Sequence, residues 1–373
     1  MKPLDKEQRL LVALCKATVL NQDFKSILAE TYGLDMAHLF RLASKQKILP
    51  ILASYLVNSD CRDMLIDVGL DGPFYDAITL SRMRNRAQRE EVIRIQNELE
   101  KRGLRNVPRK GVVYSNGFYP EASLRVFKDI DFYVDPGQET LLLECLKDLG
   151  YEFGYFSRKT KRISPLERKR EIIFRLYPTH LLPMARISGL EYLPAYKLDL
   201  SVTLAWHDAA FDDLHQSILN KALTERNRTD WEGIRSADRL FHFVDCCLHL
   251  FREAFFEDKE EFYRKDAEAA RWIGVNLRKF LDVALIWRTL SAKDLSALNT
   301  YTIDRDFAAV MSWVGFHLEA LFGVEINRAL DLDLRQIDPP LWKWKSGDGR
   351  IKNWRGSMME RIFAEDPAEV FIR

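Results

Sequence analysis

The chain carries almost no net charge. Its 56 Lys and Arg are matched by 55 Asp and Glu. That argues against a protein built to coat nucleic acid, because such binding rests on clustered positive charge, although a local basic patch stays open. Cysteine is sparse: Cys15, Cys61, Cys145, Cys246 and Cys247 are an odd, scattered set with no CxxC pair, which reads as reduced thiols in a cytoplasmic protein. The N-terminal MKPLDKEQR is charged and lacks the apolar core of a signal peptide. There is no run of about eighteen apolar residues, so no transmembrane helix and no membrane partner are expected. Internal repeats and low-complexity tracts are also missing. What is present suits a globular protein: 47% of the 373 residues are hydrophobic, enough to bury a core, and the length can hold two or three domains.

Hydrophobic spacing divides the chain into three parts. Residues 1–103 form an N-terminal helical region, because LLVALCKATVL, MAHLFRLASKQ and LPILASYLV place apolar residues three and four apart. A long polar helix runs from about Tyr75 to Arg102 and ends at Gly103. Across residues 104–206 the period shifts toward two. DIDFYV (129–134), EIIFRLY (171–177) and YKLDLSVTL (196–204) predict strands, and TLLLECLKDLG (140–150) predicts a helix closed by Gly150. Residues 207–373 return to helix, most clearly in ADRLFHFVDCCLHLFREAF and GVNLRKFLDVALIWRTL. The fold class is α+β: a small mixed-sheet core flanked by N- and C-terminal helical regions.

The chemistry lies in the carboxylates of that core. Side chains alternate between the two faces of a strand. In 129–134, Asp129, Asp131 and Tyr133 share one face, and Ile130, Phe132 and Val134 the other. Two like charges this close tend to retain a proton between them, whereas a divalent cation favours ionisation of both. Carboxylate oxygens are hard ligands suited to Mg²⁺. The 196–204 strand repeats the pattern, with Lys197, Asp199, Ser201 and Thr203 on one face. If it pairs beside 129–134, Asp199 completes a triad able to hold two metal ions. A lone D-x-D is common on a solvated sheet face, and another one, Asp331 and Asp333, has no strand context and reads as surface.

The residues upstream set Asp129 and Asp131 apart. RKGVVYSNGFYPEASLRVFKDIDFYV presents Lys110-Gly111, then Tyr119-Pro120, then Arg125 four residues before Asp129. This arrangement resembles the uncharacterised nucleotidyltransferase family of the DNA polymerase beta-like superfamily. LFRLASKQKILPILASYL and SADRLFHFVDCCLHLF resemble that family's N- and C-terminal helical regions, so the likeness spans most of the chain. It implies a mixed-sheet nucleotidyltransferase fold, Mg²⁺, and transfer of a nucleoside monophosphate from a nucleoside triphosphate, ATP favoured, to an acceptor. It also implies that Gly111 opens a helix whose amides face the triphosphate, a physically sound anion site. Lys110 and Lys197 are candidates to contact phosphate, and Arg125 to pair with phosphate or with Asp129. Two departures are visible. Pro108, in NVPRKG, cannot donate a ladder hydrogen bond, so that strand is short or lies on an edge. The family commonly has His two residues after the third acid, where this chain has Ser201; His180, in YPTHLLP, is a candidate to supply it.

Other features have plainer readings. The basic segment 158–170 reads as a solvated loop, with a phosphate or nucleic-acid grip as the alternative. Cys246, Cys247 and His249 are spaced as core and flank residues of a helix, and Trp342, Trp344 and Trp354 as packing of the tail. The functional expectation is a Mg²⁺-dependent nucleotidyltransferase in which Asp129, Asp131 and Asp199 bind metal and act in catalysis. A small-molecule, peptide or protein acceptor is favoured over nucleic acid. The alternatives are a catalytically degenerate relative that binds nucleotide or a partner, and a helical scaffold with an incidental sheet.

Overall fold

The computed structural model describes residues 4–22, 33–57, 62–168, 171–172, 179–205, 212–225, 229–255, 275–345 and 350–364. Two compact units are present, one of residues 1–77 with 243–373 and one of residues 78–242. The chain begins in the first with α1 (Lys6–Leu20), α2 (Met36–Lys45), α3 (Leu49–Val57) and α4 (Arg62–Asp67). Asp5 accepts from the Gln8 amide, and the Gln8 side chain accepts from the Asp5 amide, so two donors at the helix start are satisfied reciprocally. Leu11 and Leu14 of α1, Leu39 of α2 and Ile51 and Leu52 of α3 are fully buried, as their three- and four-residue spacing requires. The long helix α5 (Asp71–Lys101) follows, and Gly103 ends it at φ +68°, a conformation glycine adopts without a Cβ penalty.

The second unit is built on one mixed sheet. Its strands are β1 (Asn106–Arg109), β2 (Ile130–Val134), β3 (Glu152–Phe153), β6 (Met184–Leu190) and β7 (Leu193–Ser201), with β4 (Tyr155–Ser157) and β5 (Arg162–Ser164) forming a separate hairpin. The spatial order is β1-β2-β7-β6-β3, with β2 and β7 parallel and the other neighbours antiparallel. Helix α6 (Gly111–Gly117) follows β1 and helix α7 (Glu139–Asp148) follows β2. The apolar faces are buried as the alternation requires: Ile130, Phe132, Leu198 and Leu200 are each at most 2% exposed. β1 is an edge strand, the one position where Pro108 leaves no ladder bond unmade. Beside it, the hairpin of β8 (Thr229–Trp231) and β9 (Ile234–Ser236) sends the Ser236 hydroxyl to donate to the Pro108 carbonyl at 2.6 Å.

Two stretches depart from expectation. Only Glu171 and Ile172 of the strand expected over 171–177 are described, and they are helical; 173–177 lie outside the described residues. The neighbour of β7 is instead β6, MARISGL, joined to it by the tight turn at 191–192. A short hairpin connection closes with little entropy loss. The basic segment departs in part: its exposed turn at 158–161 is the solvated loop expected, but 162–164 pairs with 155–157. Gly154 makes the switch from sheet to hairpin at φ +131°, with the Ser164 carbonyl filling the place a Cβ would take.

Beyond α8 (Asp212–Thr224) and the β8–β9 hairpin, α9 (Arg239–Phe255) carries the chain from the second unit back into the first. There α10 (Leu277–Trp287), α11 (Ala292–Tyr301) and α12 (Arg305–Phe322) complete the helical core around Phe280, Phe307 and Trp313. The free thiols of Cys246 and Cys247 are buried in α9, as core residues. The short helices α13 (Ile326–Ala329) and α14 (Leu334–Ile337) precede a two-stranded hairpin, Lys343–Lys345 with Ile351–Asn353, and α15 (Met358–Phe363). The Trp342 and Trp354 rings lie 5.9 and 6.0 Å from the His317 ring of α12, so the tail tryptophans pack against a helix. Among the described residues no helix is long and apolar enough to cross a membrane.

Candidate active site

The parallel pairing of β2 with β7 sets Asp131 directly beside Asp199. Paired residues project to the same face, so the two carboxylates stand on one side of the sheet. Asp129 precedes β2 by one residue, and continuing the register places Lys197 next to it. On the other side of β2, Arg109 of β1 pairs with Asp131. Its guanidinium stacks 4.1 Å from the Tyr133 ring centre and donates to the Ser201 hydroxyl at 3.1 Å. One sheet face therefore carries Arg109, Asp131, Asp199, Asp129 and Lys197 across three adjacent strands.

Asp131 is the buried member, at 4% exposure, while Asp129 lies in the open. Burial, with the added charges of Asp129 and Asp199, pushes the Asp131 carboxyl up to about 6 despite the nearby Lys110 and Arg109 cations. Lys110 makes the closest contact, its ammonium 3.0 Å from Asp131 Oδ1. The Lys110 backbone is strained to do so, with φ 48° and ψ −119°, a region a non-glycine residue rarely adopts. Such strain costs on the order of 1–3 kcal/mol and persists where surroundings over-determine it. Gly111 supplies part of that constraint: a Cβ there would lie 2.6 Å from the Phe127 ring. From α5, Ser81 donates to the Ser123 carbonyl and Asn85 to those of Ala122 and Arg125, fixing the segment that leads into β2.

The other expected residues fall as follows. Arg125 is buried, its guanidinium 5.1 Å from the Tyr114 ring centre. Lys197, exposed on the strand face, is held below the usual lysine range by partial loss of solvation and by the charges of Lys128 and Arg158, against the pull of Asp129. His180 bridges Ser201 as a strand neighbour and brings Nε2 to 3.7 Å from Asp199 Oδ1, while its Nδ1 meets the Thr179 hydroxyl at 3.0 Å. An imidazole thus reaches the third acid from across the ladder. Arg109 was missed in the sequence; its signal was its place just before Lys110 at the end of the strand.

The donors fit a divalent cation by chemistry: three hard carboxylates share one face, and one resists ionisation because it is buried and, secondarily, because the others lie near it. Their oxygens are not drawn tightly together. Among the described residues, the group of three whose ligand atoms all lie within 4.8 Å of one another is Asp5, Glu7 and His38, in the helical unit. Those side chains already have structural work: Asp5 caps α1, Glu7 accepts from the Asp35 amide, and His38 faces Asp5 at 3.4 Å.

A five-stranded mixed sheet, a strained Lys-Gly turn opening a short helix, and paired aspartates on neighbouring parallel strands define an α+β protein with an acidic site on its central strands. The chain belongs to the uncharacterised nucleotidyltransferase family, whose model matches residues 33–322. No curated protein and no solved structure matches it.

Proposed function

We propose that this chain transfers a nucleoside monophosphate from a nucleoside triphosphate, with ATP the favoured donor, to an acceptor. The observation that carries this reading is the register of Asp131 against Asp199, with Asp129 on the same face and Lys110 on Asp131. Asp129, Asp131 and Asp199 would hold Mg²⁺, two ions being within the capacity of three carboxylates. When bound, it would neutralise phosphate charge and sharpen the attacking oxygen. Lys110 and Gly111 receive the triphosphate: the lysine offers its ammonium to phosphate oxygens, and the bare glycine lets them approach the backbone. Arg109, anchored by Ser201 and Tyr133, holds positive potential under Asp131. Asp199 takes the proton of the acceptor as its oxygen bonds to the α-phosphorus, and the bond to the β-phosphate oxygen breaks to release pyrophosphate. Alignment and charge stabilisation supply most of the rate. The reduced, buried Cys15, Cys145, Cys246 and Cys247 accord with a cytoplasmic setting.

The test is turnover of α-labelled nucleoside triphosphates with Mg²⁺, comparing the native chain with Asp129→Ala and Asp131→Ala. The expected result is pyrophosphate release that both variants abolish. Mg²⁺ should also raise the Tm of the native chain and leave Asp131→Asn unmoved. A second reading draws on the Lys110–Asp131 ion pair, which already neutralises the buried carboxylate, and on Ser201 where the family commonly has His. In that reading the chain binds nucleotide without turning it over, and calorimetry detects binding while the labelled assay stays silent.

A further inference from the structure

Six aromatic residues lie between Lys110 and Val134. Five of them, Tyr114, Phe118, Tyr119, Phe132 and Tyr133, are buried. Phe127 is the exception and stays half-buried. Its place is fixed along the chain and across it. Behind it, Asn85 of α5 donates to the Arg125 carbonyl at 2.8 Å. Ahead of it the chain passes through Asp129 into β2. Across the chain the ring lies on Gly111, where a Cβ would meet Phe127 Cγ at 2.6 Å and Cδ2 at 2.7 Å. The residue before Gly111 is Lys110, whose ammonium reaches Asp131. The buried rings nearby are partnered: Tyr133 meets Phe241 and Arg109, and Tyr114 meets Phe118, His242 and Arg125. Among the described residues no ring or cation stacks on Phe127 in this way. A single exposed apolar side chain is ordinary on a protein surface. This one is distinguished by touching the Lys110–Gly111 turn from a position two residues before Asp129.

We infer that Phe127 is the platform on which the nucleobase of the donor stacks, and that it favours purine over pyrimidine by ring area. This rests on the nucleotidyl-transfer reading. Ligand sites combine apolar or aromatic walls with a few polar groups that fix orientation. A nucleoside triphosphate has the same division, a charged tail and a flat base joined through one ribose. With the tail at Lys110 and Gly111, the aromatic surface in contact with that turn is Phe127. Stacking uses the face of a base and not its hydrogen-bonding edge, so it tolerates every base. Adenine and guanine are therefore held alike by this contact, and the two-ring bases cover more of the phenyl ring than cytosine or uracil do.

Tripolyphosphate carries the phosphates without a base, which makes it the control probe. It is titrated calorimetrically with Mg²⁺ onto the full chain, beside non-hydrolysable analogues of ATP and CTP. We expect the native chain to bind the ATP analogue more tightly than either of the other two. F127A should weaken the ATP analogue roughly 5- to 100-fold, the range of one base–aromatic stack, and leave tripolyphosphate within about twofold. F127L keeps apolar bulk over Gly111 without a flat ring, and should show the same selective loss. Retained tripolyphosphate binding in both variants shows that the turn is intact. Equal loss of analogue and tripolyphosphate would overturn the inference, since the ring would then only brace the turn. Unchanged analogue affinity in both variants overturns it as well, and a CTP analogue bound as tightly as the ATP analogue overturns the purine preference. The nucleotidyl-transfer reading survives each of those results. If the native chain binds none of the three probes, that reading itself falls, and this arm separates the two failures.

Discussion

Two of the chain's D-x-D sequences look alike on paper and behave as opposites in the fold. In the first, Asp131 is buried in a strand beside Asp199, and burial with neighbouring negative charge drives its carboxyl up to about 6. In the second, Asp333 caps α14 by accepting from the Arg335 amide, and that bond with the Arg335 side chain holds its carboxyl below the ordinary carboxylate range. One carboxylate is destabilised by its surroundings and the other is stabilised by them. Concentrated like charge in a low-dielectric setting accords with the chemical role proposed for Asp131, whereas a satisfied cap marks a structural role.

The largest test of that contrast is activity. Asp131→Ala and Asp199→Ala should each lower kcat/KM for nucleotidyl transfer by roughly 10³-fold or more, the scale of losing a charge-stabilising group at the reacting centre. Asp333→Ala should leave it within about twofold. Transfer surviving in Asp131→Ala, or lost in Asp333→Ala, would reverse the assignment of the two motifs. Next in size is Lys110→Ala, expected to cost roughly 10²-fold. It should also move the acid limb of the pH–rate profile upward, because Lys110 is the larger of the two cations' effects that pull Asp131 down.

Stability sharpens the comparison further. The folded pKa of Asp131 lies above its unfolded value, so its favourable contribution is present below about 3.8 and is lost as pH rises through about 6. Asp131→Asn stays neutral and should therefore be more stable than the native chain at pH 8, by on the order of 1–3 kcal/mol. The gap should close as the pH falls toward 3.8, and denaturant melts at pH 8 and pH 4 read it directly. A native chain more stable than Asp131→Asn at pH 8 without metal would contradict the raised carboxyl. The smallest effect is the mirror image. Asp333 sits lower in the fold than in the unfolded chain, so Asp333→Asn should slightly lower the Tm at pH 7 and have no effect in acid, where both forms are uncharged.

Much of this was legible in the residues. Alternation along 129–134 and 196–204 gave the carboxylate face, Pro108 implied an edge strand, and Gly103 marked the end of α5. These are local signals, each decided by a residue and its immediate neighbours. Pairing is not local. Nothing in DIDFYV or YKLDLSVTL fixes which residues lie opposite, so the alignment of Asp131 with Asp199, and of His180 with Ser201, emerged only from the fold. Nor did MARISGL, with its serine and glycine, announce the strand β6, whereas the apolar run at 171–177 drew attention to a segment whose described start is helical. The pairing of 155–157 with 162–164 was hidden for the same reason.

The side-by-side run of β2 and β7 has a kinetic corollary. Parallel neighbours cannot be joined by a tight turn, and here α7, the β4–β5 hairpin and β6 all intervene. Closing so long a loop is an entropic cost incurred before its contacts form. During synthesis Lys110 and Asp131 emerge well ahead of Asp199, so the pairing of β2 with β7 waits for the later strand. The juxtaposition of Asp131 with Asp199, on which the proposed cation site depends, is therefore a contact of high sequence separation, of the kind that forms late.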